Sequence, residues 1–308
     1  QELPTDMHDL LYPIYLTPPL LLLRILWESF VGVPLGAALG YGSGAPIHRQ
    51  ILAHIFGGFA ANTRTKRVLE AFWRFSYYSA AFAFGCAVMH AREWLWDVRQ
   101  CWIGYPLHPI PNTIWWYYMV EQAFYYSLLA TACFDTRRSD FWELIVHHIV
   151  TIGLLGFSWT INFVRVGTLV LLSHDLADVV LELGKLIRYD RTMTMQTNVC
   201  FVIFLISWIL TRIGYFPLIL IRSAVTEAAS LIQPDYNVFD FTQIPYAPRL
   251  LVMMLVALLC LHVFWTFIIV RVVVKTLTDG EAADVRSDDE EEGEETAKNR
   301  KKVLRKKK

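Results

Sequence analysis

Residues 141–185 have the sequence FWELIVHHIVTIGLLGFSWTINFVRVGTLVLLSHDLADVVLELGK. They form two apolar segments of about twenty residues, the length that crosses a bilayer as a helix, joined by the short connection 162–165. The segments nevertheless contain several ionisable side chains, among them His147, His148, Asp175, Asp178 and Glu182. An ionisable side chain at the centre of a membrane costs roughly 2.5–3.5 kcal/mol. Helix packing requires no such residues, so the stretch predicts a pair of membrane helices that carries a functional site.

The composition of the whole chain is typical of a multispanning membrane protein. Of its 308 residues 55% are hydrophobic and 18% are charged, so a soluble domain could not cover itself with polar surface. The formal net charge is zero, which gives no reason to expect nucleic acid as a partner. The five cysteines are scattered without a CxxC pair, which argues against a disulfide framework or a zinc cluster.

Seven apolar segments are long enough to span a bilayer. The predicted fold is therefore an all-α integral membrane protein of about seven helices, with spans two to seven arranged around an internal cavity. The first span contains Pro18, Pro19 and Glu28. The seven predicted spans cover residues 12–39, 73–91, 113–134, 141–160, 164–184, 196–220 and 248–272.

The distribution of Lys and Arg predicts the orientation. The connections 49–74, 135–140 and 185–191 are rich in basic residues, and basic connections face the cytosol. With seven spans these three connections lie on one side. The N-terminus is then lumenal and the C-terminus cytosolic.

Helical spacing gathers the polar residues of spans four and five into two stripes. The stripe on span four consists of His147, Thr151, Ser158 and Asn162. The stripe on span five includes Arg165, Asp175, Asp178, Glu182 and Lys185, with His174 beside it. Because the connection is so short, we expect a tight antiparallel hairpin with the stripes side by side around a sealed interior cavity.

Histidines beside carboxylates suit acyl transfer. A histidine hydrogen-bonded to a carboxylate has a defined tautomer and a raised basicity. It can take a proton from an amine, or attack a thioester and carry the acyl group as an acyl-imidazole. Surrounding hydrocarbon would limit hydrolysis of the thioester.

Other interpretations stay open at this point. The polar residues could be structural contacts between helices, and three histidines with two aspartates could hold one zinc ion. Arg212, inside span six, could extend to the membrane surface, pair with an acid or contact a phosphate. His262, in span seven, is interpreted as a packing residue.

The segment from Trp142 to Lys185 resembles the Lag1 motif of the TLC domain in ceramide synthases. The matching elements are His147-His148-Ile-Val-Thr151, Asn162-Phe-Val-Arg165-Val-Gly167, His174-Asp175-Leu-Ala-Asp178, Leu181-Glu182 and Lys185. Residues 72–78 and 211–217 are similar to the family's second and sixth spans. The similarity covers residues 65–275.

The resemblance implies N-acylation of a sphingoid long-chain base by a fatty acyl-CoA in the endoplasmic reticulum membrane. It implies no metal and no cofactor beyond the acyl-CoA substrate. His147 is then the acyl acceptor or base, Asp178 its polariser, and His148 and Asp175 supporting members. The expected substrate-binding residues are Thr151, Ser158, Asn162, Arg165, His174, Glu182, Lys185 and Arg212. Membrane lipids are expected partners, and a homo- or heterodimer is compatible with the resemblance.

Two alternatives to this function come from other classes. One is a TLC-type protein that binds, senses or transfers lipid without catalysis. The other is a metal-dependent lipid hydrolase or hydroxylase. A pure lipid binder needs no two histidines and two aspartates at hydrogen-bonding spacing, so the residues favour the acyltransferase.

The expected organisation has three parts. Residues 1–64 contain the first span and a cytosolic connector, 65–275 form the catalytic TLC domain, and 276–308 form a disordered acidic and basic tail. Ser287 precedes an acidic run that is typical of an acidophilic kinase site. The basic end of the tail would contact anionic lipid or act as a retrieval signal. Many animal relatives carry a Hox-like segment before the second span, and we expect no folded one here.

Overall fold

The computed structural model describes residues 4–60, 63–190 and 192–279, and the regular elements within these ranges are all helical. Seven long helices correspond to the seven predicted spans, and a short helix, α2, follows the first. These helices are α1 (Met7–Ala38), α2 (Ile47–Ile55), α3 (Arg64–Met89), α4 (Asn112–Thr131), α5 (Phe141–Thr160), α6 (Val164–Arg188), α7 (Thr194–Ile232) and α8 (Ala247–Asp279). Single helical turns at Gly58–Ala60, Glu93–Trp96 and Val98–Cys101 lie in the connections. The predicted all-α membrane fold is confirmed. Ser287 lies outside the described residues.

Four of these helices are long and apolar enough to cross a membrane by length and composition: α1, α5, α7 and α8. Helices α3, α4 and α6 are less apolar because they contain more polar side chains. Many of these side chains face the interior of the bundle. Tyr117, Glu121 and Gln122 of α4, for example, are each about 1% exposed. The exact number of spans therefore stays a prediction, while the multi-pass helical bundle is established.

Helix α7 extends beyond the predicted sixth span. The sequence predicts that this span ends at residue 220, followed by a connection over 221–247, whereas the helix continues to Ile232. Its middle part, Ile209–Ile221, is π-helical and contains Pro217. Proline lacks an N–H and cannot complete the α-helical hydrogen-bond pattern, and the wider π turns that surround it are frequent at functional sites. Arg212 belongs to this segment.

The connection between α5 and α6 is as short as predicted. Asn162 adopts a left-handed backbone conformation with φ of 58°, which asparagine tolerates. Its Nδ2 donates to the carbonyls of Pro106 at 2.6 Å and His108 at 3.2 Å. The turn is thus fixed to the segment that precedes α4.

The prediction of a tightly packed α5–α6 hairpin is wrong beyond this turn. Helix α5 packs mainly against α4 and α8, and α6 mainly against α3 and α7. Tyr118 of α4 separates the two helices, because its hydroxyl contacts the Ser158 hydroxyl of α5. A Cβ at Gly167 of α6 would overlap the same tyrosine ring. The side chain opens a space between helices that are neighbours in sequence.

A buried group of charges joins α1 to α3 and to the turn before α5. Arg24 Nη2 lies 2.6 Å from Asp135 Oδ1, and its Nε lies 2.8 Å from Glu28 Oε1. Arg74 Nη2 lies 3.0 Å from Asp135 Oδ2, while Lys66 Nζ lies 3.3 Å from Glu28. Burial acts to raise the pKa of Asp135, but Arg24 and Arg74 outweigh burial and lower that pKa to about 2. The network explains why the first span can contain Glu28.

Candidate active site

A narrow cavity of about 40 Å³ lies between α4, α5, α6 and α8. Its wall is largely aliphatic, and the leucines among its lining residues are Leu154, Leu155, Leu171, Leu251, Leu255 and Leu258. Two histidines, His147 from α5 and His174 from α6, are the ionisable groups on this wall apart from two tyrosines. An apolar cavity with a few polar groups is the usual form of a ligand site.

His147 and His148 point in different directions from consecutive positions of α5. The ring of His147 lies on the cavity and packs edge-on against Trp265 of α8, with centroids 5.3 Å apart. His148 is 6% exposed and lies beside Tyr125, with centroids 6.3 Å apart. The Nδ1 atoms of both histidines have no hydrogen-bond partner in the structure. A buried polar atom without a partner requires an explanation, and for His147 a substrate in the cavity supplies one.

The two aspartates of α6 have different partners. Asp178 Oδ2 accepts a hydrogen bond from Arg212 Nη2 at 2.9 Å. Asp175 is fully buried, and its Oδ2 accepts from the Tyr117 hydroxyl at 3.5 Å while Oδ1 has no partner. The sequence predicts that Asp178 polarises His147, but the hydrogen bond found for this carboxylate goes to Arg212. The sequence leaves three interpretations of Arg212 open. The structure supports one of them, because the side chain pairs with an acid.

His174 meets a residue that the sequence interpretation assigned to packing. His174 Nε2 lies 3.2 Å from His262 Nε2, and Arg212 Nη1 lies 3.3 Å from that same His262 atom. Arg212 Nη2 also donates to the His174 carbonyl at 3.0 Å. His262 is fully buried and its ring packs against Trp208 and Phe216, as the sequence interpretation expects, and its polar contacts with His174 and Arg212 add to that packing. The two histidines are 88 positions apart, and the only sequence signal for His262 was a titratable residue inside an apolar span.

Thr151 and Ser158 lie on the cavity wall, and the Thr151 hydroxyl has no partner. Arg165 and Asn162 are directed elsewhere. Arg165 Nη1 donates to the carbonyls of Gln100 at 2.8 Å and Ile103 at 3.3 Å. Both side chains thus hold the segment before α4, and the structure places neither on the cavity wall.

The last two predicted substrate-binding residues pair with each other. Lys185 Nζ lies 2.5 Å from Glu182 Oε1 near the end of α6. Glu182 is 4% exposed and its Oε2 has no partner. This part of the stripe continues beyond the cavity, toward the end of the bundle where α3 begins.

Residues 67–271 match the family model described as the TLC domain. Ceramide synthase hyl-1 of Caenorhabditis elegans is 57% identical over 295 residues, which are 93% of this chain and 79% of the relative. The chain belongs to the ceramide synthase family of TLC-domain proteins. Ceramide synthase hyl-2 of the same organism is 38% identical over 274 residues, 89% of this chain and 81% of the relative. Human ceramide synthase 5 is 37% identical over 227 residues, 73% of this chain and 55% of the relative.

Membership of the ceramide synthase family confirms the resemblance found in residues 142–185. The family consists of enzymes, so the prediction of an acyltransferase is confirmed at the level of the class. The noncatalytic alternative loses its support. Ceramide synthesis in general is thereby established for the chain.

Glu121 is a buried acid near Asp175 that the sequence interpretation does not single out. It is 1% exposed on α4, and its Oε2 has no partner. It lies one helical turn after Tyr117, which contacts Asp175. An acid in the otherwise apolar span 113–134 is costly in a membrane, and this cost was the signal that could have identified it.

The zinc interpretation depends on metal-ligating side chains that lie close together. Among residues 4–60, 63–190 and 192–279, no three His, Cys, Asp or Glu side chains are grouped so that they could hold a metal ion.

Proposed function

We propose that this ceramide synthase family member transfers a fatty acyl group from acyl-CoA to the amine of a sphingoid long-chain base, sphinganine or sphingosine. The observation that carries the proposal is the position of His147, whose imidazole lies on the wall of an apolar cavity with Nδ1 unpartnered. The aliphatic wall suits an acyl chain, and the imidazole suits its activated carbonyl.

The cavity extends along α5, the direction that an acyl chain would take. His147 and Ser158 both line it, and the eleven residues between them rise about 16 Å along α5. His147 lies nearer the end of the bundle where α5 begins, and Ser158 nearer the opposite end. We infer that the carbonyl lies at His147 and that the acyl chain extends toward Ser158.

Two chemical routes are compatible with His147. In the first, the imidazole nitrogen attacks the thioester, its bond to the acyl carbon forms, and the C–S bond breaks to release CoA. The amine then attacks the acyl-imidazole. In the second, His147 is a general base that takes a proton from the amine as the amine attacks the thioester. His148 and Asp175 support either route from behind the cavity wall.

The charge arrangement favours reaction over hydrolysis. Arg212 and Asp178 form an ion pair at 2.9 Å, so neither charge is left alone in the membrane interior. The aliphatic wall offers water few hydrogen-bond partners, which limits hydrolysis of an activated acyl group. An activated acyl group would therefore meet the amine before it meets water.

The decisive experiment is turnover by purified protein in lipid nanodiscs. A series of acyl-CoAs is supplied with sphinganine, and ceramide and free fatty acid are measured by mass spectrometry. We expect ceramide as the main product; if neither product forms with any acyl-CoA, the proposal is wrong. Incubation with acyl-CoA alone separates the routes, because only the first adds the mass of one acyl chain to the protein.

The cellular setting belongs to the same proposal. We place the protein in the endoplasmic reticulum membrane with its N-terminus lumenal and its C-terminus cytosolic. Contacts between the basic connections support this orientation: Arg64 donates to the Tyr189 carbonyl at 2.7 Å, and Arg74 pairs with Asp135. Phosphorylation of Ser287 by an acidophilic kinase and assembly into homo- or heterodimers are further parts of the proposal.

A further inference from the structure

Trp265 of α8 lies at the end of the cavity that holds His147. Leu258 of the same helix lines the cavity, and residues seven positions apart on a helix share a face. Trp265 follows Leu258 by seven positions, so its indole continues the cavity-lining face of α8. The centroids of the Trp265 and His147 rings are 5.3 Å apart, with the ring planes at 84°. This is closer than Tyr125 at 6.3 Å or His148 at 5.7 Å.

The indole of Trp265 is held in place by the residue before α5. Its Nε1 donates to Asp140 Oδ2 at 3.0 Å. Asp140 is 4% exposed and is the N-cap residue of α5. An aspartate at this position usually accepts hydrogen bonds from the first backbone N–H groups of its own helix, but the side chain of Asp140 makes no such bond. Its carboxylate contacts α8 instead.

Trp265 therefore connects two points of α5. Asp140 and His147 are seven positions apart, which is about 10 Å along the helix, and the indole contacts both of them. Rotation of the indole away from His147 would break its hydrogen bond to a buried carboxylate, which is costly inside a protein. The hydrogen bond thus favours one position of the indole, and the indole restricts the positions open to the imidazole beside it.

The imidazole of His147 needs this support because its hydrogen bonds do not supply it. A reactive histidine is usually oriented by a hydrogen bond from one ring nitrogen to a carboxylate or carbonyl. His147 Nδ1 has no partner, and Asp178, the carboxylate that the sequence predicts beside it, bonds to Arg212. Aromatic packing then has to orient the ring. Orientation matters because a misplacement of about 1 Å in a reacting group can cost a hundredfold in rate.

We propose that Trp265, held by Asp140, is the positioning residue that orients the His147 imidazole toward the reacting atoms in the cavity. The inference rests on the proposed function and adds to it the side chains that prepare the reactive group. Trp265 takes no part in the bond changes themselves. Nucleophilic attack and general-base catalysis by His147 need the same orientation of the ring, so both routes depend on Trp265.

The first test is Trp265→Phe, which keeps an aromatic ring beside His147 but cannot donate to Asp140. We expect kcat for ceramide formation to fall at least about tenfold, a part of what a misplaced reacting group costs. KM for acyl-CoA should stay close to the wild-type value, because the aliphatic wall of the cavity is intact. Trp142→Phe, the same substitution at a residue of α5 that is 73% exposed, is the matched control. A wild-type kcat of Trp265→Phe overturns the inference.

Two substitutions of Asp140 separate orientation of the imidazole from stability of the fold. Asp140→Asn keeps an oxygen that accepts from the indole N–H, and it should keep most of the wild-type kcat. Asp140→Leu removes this acceptor, and it should lower kcat as Trp265→Phe does. A merely structural role of Asp140 predicts a lower folded fraction but a wild-type kcat per folded molecule. That result, or equal kcat values for the two variants, contradicts the inference.

The double variant Asp140→Leu/Trp265→Phe shows whether the two residues act as one unit. Once one end of the contact is removed, loss of the other end should lower kcat no further, because residues in contact do not contribute independently. Other contacts of Asp140 are lost in both the single and the double variant and cancel in this comparison. Effects on kcat that simply multiply, as they do for independent sites, overturn the inference.

The outcome is separable from failure of the proposed function, in which the wild-type protein itself makes no ceramide. The inference fails when the wild-type protein is active and the variants share its kcat. Each kcat is expressed per folded molecule, with the folded fraction measured by size-exclusion chromatography. If Trp265→Phe does not fold, the difference in kcat between Asp140→Asn and Asp140→Leu decides, since only Asp140→Asn keeps the partner of the indole.

Discussion

His147 differs from its neighbour His148 because its ring has access to the cavity. Both rings are held by aromatic neighbours, but only His147 belongs to the cavity wall. Adjacent residues on a helix point about 100° apart because a turn has 3.6 residues. The pair thus supplies one imidazole to the cavity and one to the packing between α5 and α4.

Replacing His147 by Ala should abolish ceramide formation while the protein stays folded. The imidazole is the base or nucleophile of either route, so we expect a loss of at least about a hundredfold. Turnover in nanodiscs measures activity, and thermal unfolding checks the fold. His90→Ala is the control that removes an exposed imidazole instead; wild-type activity of His147→Ala would reject its catalytic role.

Replacing Asp178 by Asn should reduce both activity and stability, because Arg212 then remains buried without a counter-charge. Breaking one side of a buried ion pair costs about 3–5 kcal/mol. The double variant Asp178→Asn/Arg212→Gln removes both charges and should regain much of the stability without regaining ceramide formation. Equal unfolding temperatures for the single and double variants would show that Asp178 does not stabilise the fold by compensating the buried charge of Arg212.

At the scale of the element, α1 is attached to the family domain by apolar packing against α4 and by buried charges. Arg24 connects it to Asp135, and Asp135 also holds Arg74 of α3. The turn that carries Asp135 directly precedes α5, the helix of His147. The position of α5 therefore depends on a residue from the first helix.

Asp135→Asn should loosen α1 and make the turn before α5 more accessible to protease. The expected cost is at most about 3 kcal/mol, the lower end of the range for a broken buried pair, since Arg24 keeps Glu28 and Arg74 keeps Glu70 as partners. Because the pKa of Asp135 is lowered from 3.8 to about 2, its contribution is complete above pH 4 and disappears as the pH falls through 2. Limited proteolysis and unfolding at pH 7 and pH 3 measure this. Asp190→Asn, an exposed acid, is the control, and identical protease patterns for both variants would contradict the prediction.

At the scale of the whole molecule, the cavity exists because consecutive helices do not pack together. Tyr118 keeps α5 and α6 apart near their connection, contacting Ser158 on one side and Gly167 on the other. This tyrosine also forms the end of the cavity opposite His147. We therefore expect its volume to limit the length of an acyl chain bound in the cavity.

Tyr118→Ala should shift the preferred acyl-CoA toward longer chains, because it removes a fully buried ring from the end of the cavity. Truncation of a large buried side chain also costs about 3–5 kcal/mol in stability, so the folded fraction must be measured with the acyl-CoA series. Tyr118→Phe keeps the ring and should keep the chain-length preference. A preference of Tyr118→Ala equal to that of Tyr118→Phe would mean that the end of the cavity lies elsewhere.

The sequence predicts the helices well because each span depends on local apolar length. The span 141–160 agrees with the structure at both ends, and the family resemblance lies within two such spans. The sixth span was predicted too short, since Pro217 and the polar residues after 220 are typical of a loop. A π-helical segment held by its neighbours overrides that local preference.

The residues of the site show the same contrast between what local sequence indicates and what the packing of helices decides. The sequence alone identifies His147, His148, Asp175 and Asp178, because titratable side chains in an apolar span are costly and therefore conspicuous. It does not indicate their partners. Arg212 for Asp178, His262 for His174 and Tyr118 between α5 and α6 are contacts between distant parts of the chain, and such contacts depend on how whole helices pack. Local composition thus determined the spans and the chemistry they carry, and only the packing of the bundle decided which charges meet and where the cavity opens.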